Sequence, residues 1–372
     1  MASAPSAHER RTLTVARGDG SSKLFLGLQL GRAIAVVTVV LTHAVAHPFP
    51  GAPGVSHLLG RYGVTLFFVI SGYIMVATTG TGSFNPRAFM TRRLLRIVPL
   101  YYLASFVLLA GRIAAPNLFK EAQFEPLFFL KSLAFIPAYQ LNGSGLIFPF
   151  FRLGWTLNYE IFFYLCFALM AGLGLHMRLW AITLVFAALV GLGALLPLQD
   201  AIAIFYTRVD VLGFVAGMWL GARAIDPPVH SRPVPVWPLL VLSLVIIAYL
   251  AYFYQSIRAD IHTQLLTIAA CAVHIRLLVA LIDDRGRGLA QPLLLLGNAS
   301  YSIYLFHMFG VGVSVALSKK LGGIFVYLFM PVSLIAGIGV GLIVYWLIER
   351  PIGRWLRDLR IRARRPPGVA IS

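Results

Sequence analysis

Residues 60–79 read GRYGVTLFFVISGYIMVATT, and this stretch decides the class of fold. It carries a single charge, at Arg61, and as a helix it is long enough to cross about 30 Å of hydrocarbon. Inside hydrocarbon the backbone must satisfy its own hydrogen bonds, which a helix does and an open strand does not. The stretch therefore predicts a membrane-spanning helix.

Similar stretches recur along the chain. Of its 372 residues 59% are hydrophobic and 12% are charged, and this composition excludes a soluble globular protein. Residues 126–139 are apolar but too short to span and carry Lys131, so they predict an interfacial or re-entrant helix. We predict an all-α membrane bundle of about ten transmembrane helices, near residues 24–46, 60–79, 97–115, 155–174, 178–197, 203–224, 236–254, 262–282, 293–317 and 324–348.

The net charge of +18 is explained by membrane sidedness, so nucleic acid is not a predicted partner. With ten spans and an inside N-terminus, most Lys and Arg residues fall on the cytoplasmic side, and both termini are predicted to be cytoplasmic. Residues 1–22 are predicted to be disordered and residues 23–350 to form one membrane domain. Residues 351–372 are predicted to be a basic cytoplasmic tail that rests on anionic lipid.

The first predicted span contains two ionisable groups, Arg32 and His43. Such groups are functional candidates because an Arg at helix-centre depth costs about 2.5–3.5 kcal/mol on insertion scales. The two residues are close to three helical turns apart, so they share one face about 16 Å apart along the axis. The alternative without a functional role is a snorkelling Arg32 and a hydrogen-bonded interfacial His43.

The fourth predicted span adds a carboxylate, Glu160, at a depth similar to that of His43. A carboxylate beside an imidazole supplies the parts of a general base that is held in the right tautomer. We therefore predict that Glu160 partners His43. The alternative is a structural Glu160 paired with Arg152 or Arg208.

Arg93 and Arg96 stand at the cytoplasmic end of the third predicted span and project from the same side of a helix. Planar guanidinium groups suit bidentate phosphate contact, although the positive-inside bias also explains arginines here.

The ninth predicted span is unusually polar, and its residues Ser300, Tyr304 and His307 share one helical face. They can line a wet cavity or provide hydrogen bonds between helices. No set of His, Asp and Glu has the spacing of metal ligands, so no metal site is predicted.

Six motifs, in order along the chain, resemble the membrane-bound acyltransferase family 3. Members of this family O-acetylate bacterial surface polysaccharides and some small molecules. Residues 67–75 and 99–102 look most similar to its exopolysaccharide acetyltransferase branch. The motifs are Arg32 with His43, GVTLFFVISGY at 63–73, RRLLRIVP at 92–99, WTLNYE at 155–160, SYSIYLFH at 300–307 and ERP at 349–351.

The resemblance implies a ten-helix membrane domain and the roles of four residues. It ties Arg32 and His43 to activity, and it implies that Arg93 and Arg96 handle an acetyl-CoA donor on the cytoplasmic side. One position departs from the family pattern, because Thr65 stands where many members have Asp.

Together, the residues and the resemblance lead to one hypothesis. The protein transfers an acetyl group from cytoplasmic acetyl-CoA to a hydroxyl of a cell-surface polysaccharide or its lipid-linked precursor, in a bacterial inner membrane. His43 acts as general base or as nucleophile with Glu160 as its catalytic partner, Arg32 joins the donor site, and Ser71, Tyr301 and His307 line the substrate path.

Two alternatives stay open: a small-molecule acceptor such as a macrolide, and a flippase for lipid-linked sugars. The predicted partners are acetyl-CoA, the sugar acceptor and membrane lipid, and polysaccharide-assembly proteins are possible partners.

Overall fold

The computed structural model describes residues 7–46, 53–117, 119–120, 122–226, 236–252, 261–281, 291–321 and 325–356, with residues 7–25 described as backbone. Its helices are α1 (Ala7–Ala46), α2 (Pro53–Thr79), α3 (Pro86–Ala114), α4 (Pro126–Leu133), α5 (Trp155–Leu169), α6 (Leu175–Leu195), α7 (Ala201–Tyr206), α8 (Leu212–Ile225), α9 (Val236–Tyr252), α10 (Ile261–Leu281), α11 (Gln291–Asn298), α12 (Ser300–Leu321) and α13 (Phe325–Val344). A π-helical turn, Tyr345–Glu349, extends α13, and helix continues to residue 356.

The predicted all-α membrane bundle is confirmed, whereas the number of ten spans is not. Among the described residues, seven helices are long and apolar enough to cross a membrane: α1, α2, α3, α6, α10, α12 and the extended α13. The other three predicted spans, 155–174, 203–224 and 236–254, correspond to shorter helices. These are α5 with 15 residues, α8 with 14 and α9 with 17.

The predicted span at 203–224 is broken into α7, a 3-10 turn at Val209–Val211, and α8. The break is stabilised from outside, because the Tyr159 hydroxyl donates to the carbonyl oxygen of Phe205 at 2.8 Å. Thr207 donates its hydroxyl to the carbonyl oxygen of Ala203 at 2.7 Å. The Tyr159 hydroxyl thus takes up a carbonyl oxygen at the break, and such pairing is the condition for irregular backbone at membrane depth.

Two further boundaries differ from the sequence prediction. Helix α1 begins at Ala7, ahead of the predicted boundary at residue 23. Extending an existing helix adds one hydrogen bond per residue and needs no new nucleus. Helix α4 ends at Leu133 rather than near residue 139, and Phe135 beyond it has a left-handed backbone with φ of 58°. Residues 1–6 and 357–372 of the predicted terminal segments lie outside the described residues.

Helix α2 packs closely against α8, and both helices use glycine at the contact. A Cβ on Gly72 would lie 2.1 Å from the carbonyl oxygen of Phe214, and one on Gly217 would lie 1.9 Å from that of Val69. The backbones can approach only because these side chains are missing, as is common between membrane helices. The contact fixes the helix turn that carries Ser71.

Candidate active site

A cavity lies between α1, α2, α3, α5 and α12, and we call it the central cavity. Three arginines and one glutamate line it, so its charged side chains are mainly cationic. The lining comprises Arg32, Val64, Phe67, Phe68, Ile70, Ser71, Ile74, Met75, Arg93, Arg96, Ile97, Thr156, Leu157, Glu160, Tyr164, Ser300, Tyr301 and Tyr304.

The arginines of the central cavity are held by neighbours. Arg32 is buried and donates from Nε to Ser300 Oγ at 3.0 Å, which ties α1 to α12. Arg93 donates from Nη2 to Thr78 Oγ1 at 3.0 Å, and its guanidinium lies 5.6 Å from the ring centre of Phe89. These contacts orient two cations toward one space within the membrane domain. The Nε of Arg93 is buried without a hydrogen-bond partner.

Glu160 faces the same cavity. Its Oε1 accepts hydrogen bonds from Ser71 Oγ at 3.1 Å and from the Tyr164 hydroxyl. The Arg93 guanidinium lies 5.8 Å from the ring centre of Tyr164, so this tyrosine stands between the carboxylate and the cation. The alternative pairing of Glu160 with Arg152 gains no support, because the guanidinium of Arg152 stacks over Phe148 at 4.5 Å.

Two tyrosines of α12 connect the central cavity to neighbouring helices. Tyr301 donates its hydroxyl to the carbonyl oxygen of Ile97 at 2.6 Å. Tyr304 donates to the carbonyl oxygen of Leu153 at 3.1 Å, and its hydroxyl lies 2.8 Å from Thr156 Oγ1. Both hydroxyls therefore tie α12 to its neighbours, to α3 through Ile97 and to the start of α5 through Thr156.

His43 and His307 form a pair beside the central cavity, with ring centres 5.2 Å apart. Neither residue belongs to the lining of that cavity, but the ring of Tyr304, which does, lies 6.3 Å from the ring of His307. The two helices α1 and α12 thus bring together residues from opposite ends of the sequence. We call these two residues the histidine pair.

The tautomer of His307 follows from its surroundings. Its Nδ1 lies 2.7 Å from the carbonyl oxygen of Tyr304 and 3.1 Å from that of Ile303. A carbonyl oxygen only accepts, so Nδ1 carries the proton and, in the neutral ring, Nε2 carries the lone pair. The side chain is fully buried and Nε2 has no hydrogen-bond partner. Such a buried unpaired acceptor requires an explanation.

A second cavity opens beside the first at the predicted cytoplasmic ends of α3 and α13. We call it the arginine vestibule. Arg96 lines both cavities, whereas Arg93 lines only the central cavity. The vestibule is lined by Arg92, Leu95, Arg96, Leu100, Asn298, Tyr345, Glu349, Arg350, Ile352, Gly353 and Leu356.

Six of the eight predicted site residues line the central cavity, and the other two form the histidine pair. The structure groups Glu160 with the arginines, and the partners described above for its carboxylate are Ser71 and Tyr164. The expected partnership of Glu160 with His43 rested on similar depth along two separate helices. Depth along a helix does not say which face turns toward which neighbour, so the two residues can share a level and line different spaces.

Sequence reasoning did not assign a role to Arg350, although it belongs to the ERP motif at 349–351. Its guanidinium lies 4.2 Å from the ring centre of Trp346. Arg92 has no assigned role either and belongs only to the motif RRLLRIVP at 92–99. No group of three or more His, Cys, Asp or Glu that could hold a metal ion occurs among the residues described.

The family model of the acyltransferase 3 group, described as an acyltransferase domain, matches residues 25–350. The chain therefore belongs to this family, and it is a multi-pass membrane O-acyltransferase. The predicted family and enzyme class are confirmed.

Known relatives carry names of the same kind. The chain is 36% identical over 309 residues to the exopolysaccharide production protein ExoZ of Rhizobium meliloti, covering 82% of this chain and 93% of that protein. It is 27% identical over 363 residues to the O-acetyltransferase OatA of Staphylococcus aureus, covering 89% of this chain and 58% of OatA. It is 27% identical over 303 residues to the putative membrane-bound transacylase BcsY of Komagataeibacter xylinus, covering 76% and 72%. No solved structure matches the chain significantly.

Proposed function

We propose that the protein transfers an acetyl group from acetyl-CoA, taken up from the cytoplasm, to a hydroxyl of a cell-surface polysaccharide or its lipid-linked precursor. It acts in the inner membrane of a bacterium, with both termini in the cytoplasm. The observation that carries this proposal is the position of a cationic cavity next to a histidine with an unpaired acceptor nitrogen, both between helices of the membrane bundle.

The central cavity supports an anionic donor. Arg93 and Arg96 bind its phosphates, because a guanidinium offers planar paired donors that match phosphate oxygens. The Nε of Arg93 has no hydrogen-bond partner and can donate to a phosphate oxygen. Arg32 lies farther along the cavity wall and faces the acyl-carrying arm. Glu160 offsets part of the cationic charge while the cavity is empty of donor.

The histidine pair supports the transfer step. The oxygen of the acceptor hydroxyl attacks the thioester carbonyl as His43 removes the hydroxyl proton; the carbon–sulfur bond then breaks and the proton passes to the leaving sulfur. His307 lies beside His43 as a neutral ring with a lone pair at Nε2, so it can accept an N–H of the protonated His43. His307 would thus stabilise the protonated form of His43, as the buried acceptor of a catalytic triad stabilises its histidine.

The nature of the acceptor comes from the relatives. One is named for exopolysaccharide production and another for O-acetyl transfer. The first name points to a polysaccharide and the second to transfer onto an oxygen, and a polysaccharide hydroxyl combines the two. Ser71 and Tyr301, on the wall of the central cavity, line the path by which donor and acceptor meet.

The test is the ester content of the surface polysaccharide. We expect a strain that lacks the protein to lose O-acetyl esters, measured by mass spectrometry of the isolated polysaccharide. The wild-type chain and His57→Gln should restore them, because His57 is an exposed histidine away from both cavities. His43→Gln should not restore them at equal expression. Unchanged ester content in the deletion strain would overturn the polysaccharide as acceptor, and loss of surface polysaccharide export would favour a flippase.

A further inference from the structure

The arginine vestibule presents three cations to one space at the mouth of the central cavity. Arg92 and Arg96 lie one helical turn apart on α3, and Arg350 reaches the same space from the end of α13. The one carboxylate in the lining, Glu349, accepts from Ser302, at 2.5 Å from its Oγ and 3.3 Å from its backbone nitrogen. Ser302 on α12 therefore holds this carboxylate. Among the described residues, no ion pair joins it to a vestibule arginine.

The vestibule and the central cavity share Arg96 but divide the other arginines. Arg93 lines only the central cavity, while Arg92 and Arg350 line only the vestibule. A ligand that passes from one space to the other meets Arg96 at the junction. Such a ligand needs one anionic group near Arg93 and Arg96 and a second, separate anionic group for the vestibule.

Coenzyme A has this distribution of charge. Its diphosphate joins the pantetheine arm to the adenosine, and its ribose carries an additional 3′-phosphate. We infer that the arginine vestibule binds the nucleotide end of the donor, with Arg92 and Arg350 on the ribose 3′-phosphate and Arg96 shared with the diphosphate. Asn298 and Tyr345 in the same lining offer polar and aromatic contacts for the base. This inference rests on the proposed function, because it extends the donor site proposed there.

The experiment compares coenzyme A with 3′-dephospho-coenzyme A, which lacks only the ribose phosphate. Binding of each to the full chain in neutral detergent is measured by titration calorimetry. The wild-type protein should prefer coenzyme A by about tenfold or more, the contribution of a charged hydrogen-bonded contact. The double variant Arg92→Gln with Arg350→Gln should lose this preference, while its affinity for the dephosphorylated form stays within about twofold.

Arg87→Gln is the matched control, because Arg87 lies on the same helix, is exposed and is absent from the vestibule lining. It should retain the full preference. A double variant that keeps the preference for coenzyme A in detergent overturns the inference. A preference that is lost only when the double variant is assayed in vesicles containing an anionic phospholipid also overturns it, because these arginines would then bind lipid. Equal binding of both forms to the wild type refutes only the assignment of the vestibule to the ribose 3′-phosphate. Binding of neither form refutes the proposed donor itself.

Discussion

The central cavity and the histidine pair both hold polar groups inside the membrane domain, but they leave different atoms unpaired. In the cavity the unpaired atom is a donor, the Nε of Arg93. In the pair it is an acceptor, the Nε2 of His307. A buried polar atom without a partner costs about 1–3 kcal/mol, so each is retained where something else compensates. An unpaired donor can bind an anion, and an unpaired acceptor can bind a proton that is transferred during a reaction.

A third histidine inside the membrane domain, His274, contrasts with His307. His274 on α10 has both ring nitrogens engaged, with Nδ1 2.8 Å from the Tyr62 hydroxyl and Nε2 in contact with Ser243 Oγ. His274 is thus a satisfied histidine that joins α2, α9 and α10. His307 has the same side chain with one nitrogen left open. We propose that His274 holds helices together, whereas His307 takes part in the chemistry.

The largest effect is expected at His43. His43→Gln should lower the rate of acetyl transfer by about 10²–10⁴, because an amide cannot exchange a proton near neutral pH. Donor binding should stay close to that of the wild type. The measurement is single-turnover transfer from labelled acetyl-CoA together with donor titration. His57→Gln is the control, and transfer within about tenfold of wild type in His43→Gln would be too small a loss for a general base.

His307→Phe should follow with a loss of about a hundredfold in the rate of transfer. The ring keeps its approximate size, but the lone pair at Nε2 is gone. His274→Phe serves as the control: it should lower thermal stability, since it removes two interhelical contacts, and leave the rate per folded molecule unchanged. If both variants change only thermal stability, His307 and His274 are both structural, and the predicted role of His307 in transfer is wrong.

The arginines of the central cavity should act on binding rather than on rate. Arg93→Ala with Arg96→Ala should weaken acetyl-CoA binding about a hundredfold, from two lost charged contacts, while transfer at saturating donor is little affected. Lysine at both positions should restore only part of the affinity, because an ammonium lacks the planar fork. Arg87→Ala should bind like the wild type. Unchanged donor affinity in the double alanine variant would place the donor elsewhere.

Glu160 is expected to give the smallest effect. If it balances the cavity arginines, Glu160→Gln should tighten donor binding by roughly three- to tenfold through removal of a repelling charge. Its transfer rate at saturation should stay within about tenfold of the wild type. Titration and single-turnover assays on one preparation separate the two. A hundredfold fall in rate without tighter binding would instead restore Glu160 as the partner of His43.

The class of fold could be predicted because hydropathy is a local property. Residues 60–79 must form a spanning helix whatever surrounds them, and the structure places them within α2. The interruption at α7 and α8 could not be predicted, because it depends on a hydroxyl from Tyr159, a residue on another helix. A count of apolar stretches reports length and composition, not the contacts that bend a segment.

Arg178 shows a limit of reading intramembrane arginines as functional. It is fully buried, donates to the carbonyl oxygens of Gly82 and Leu173 at 2.5 and 2.7 Å, and its guanidinium lies 4.7 Å from the ring centre of Phe84. These partners lie on the turn before α3 and on the connection that precedes α6. Arg178 therefore holds two loops together, and only its partners distinguish it from Arg32.

Residue type and order were enough to define the membrane class, the family and a set of candidate site residues. Tertiary structure alone decided how these residues are grouped. It paired His43 with His307 from far along the chain, placed Glu160 with the arginines, and separated Arg93 from Arg92 across one helix. The physical reason is that helix rotation is set by packing, as at Gly72 against Phe214, and packing depends on neighbours that the local sequence does not contain.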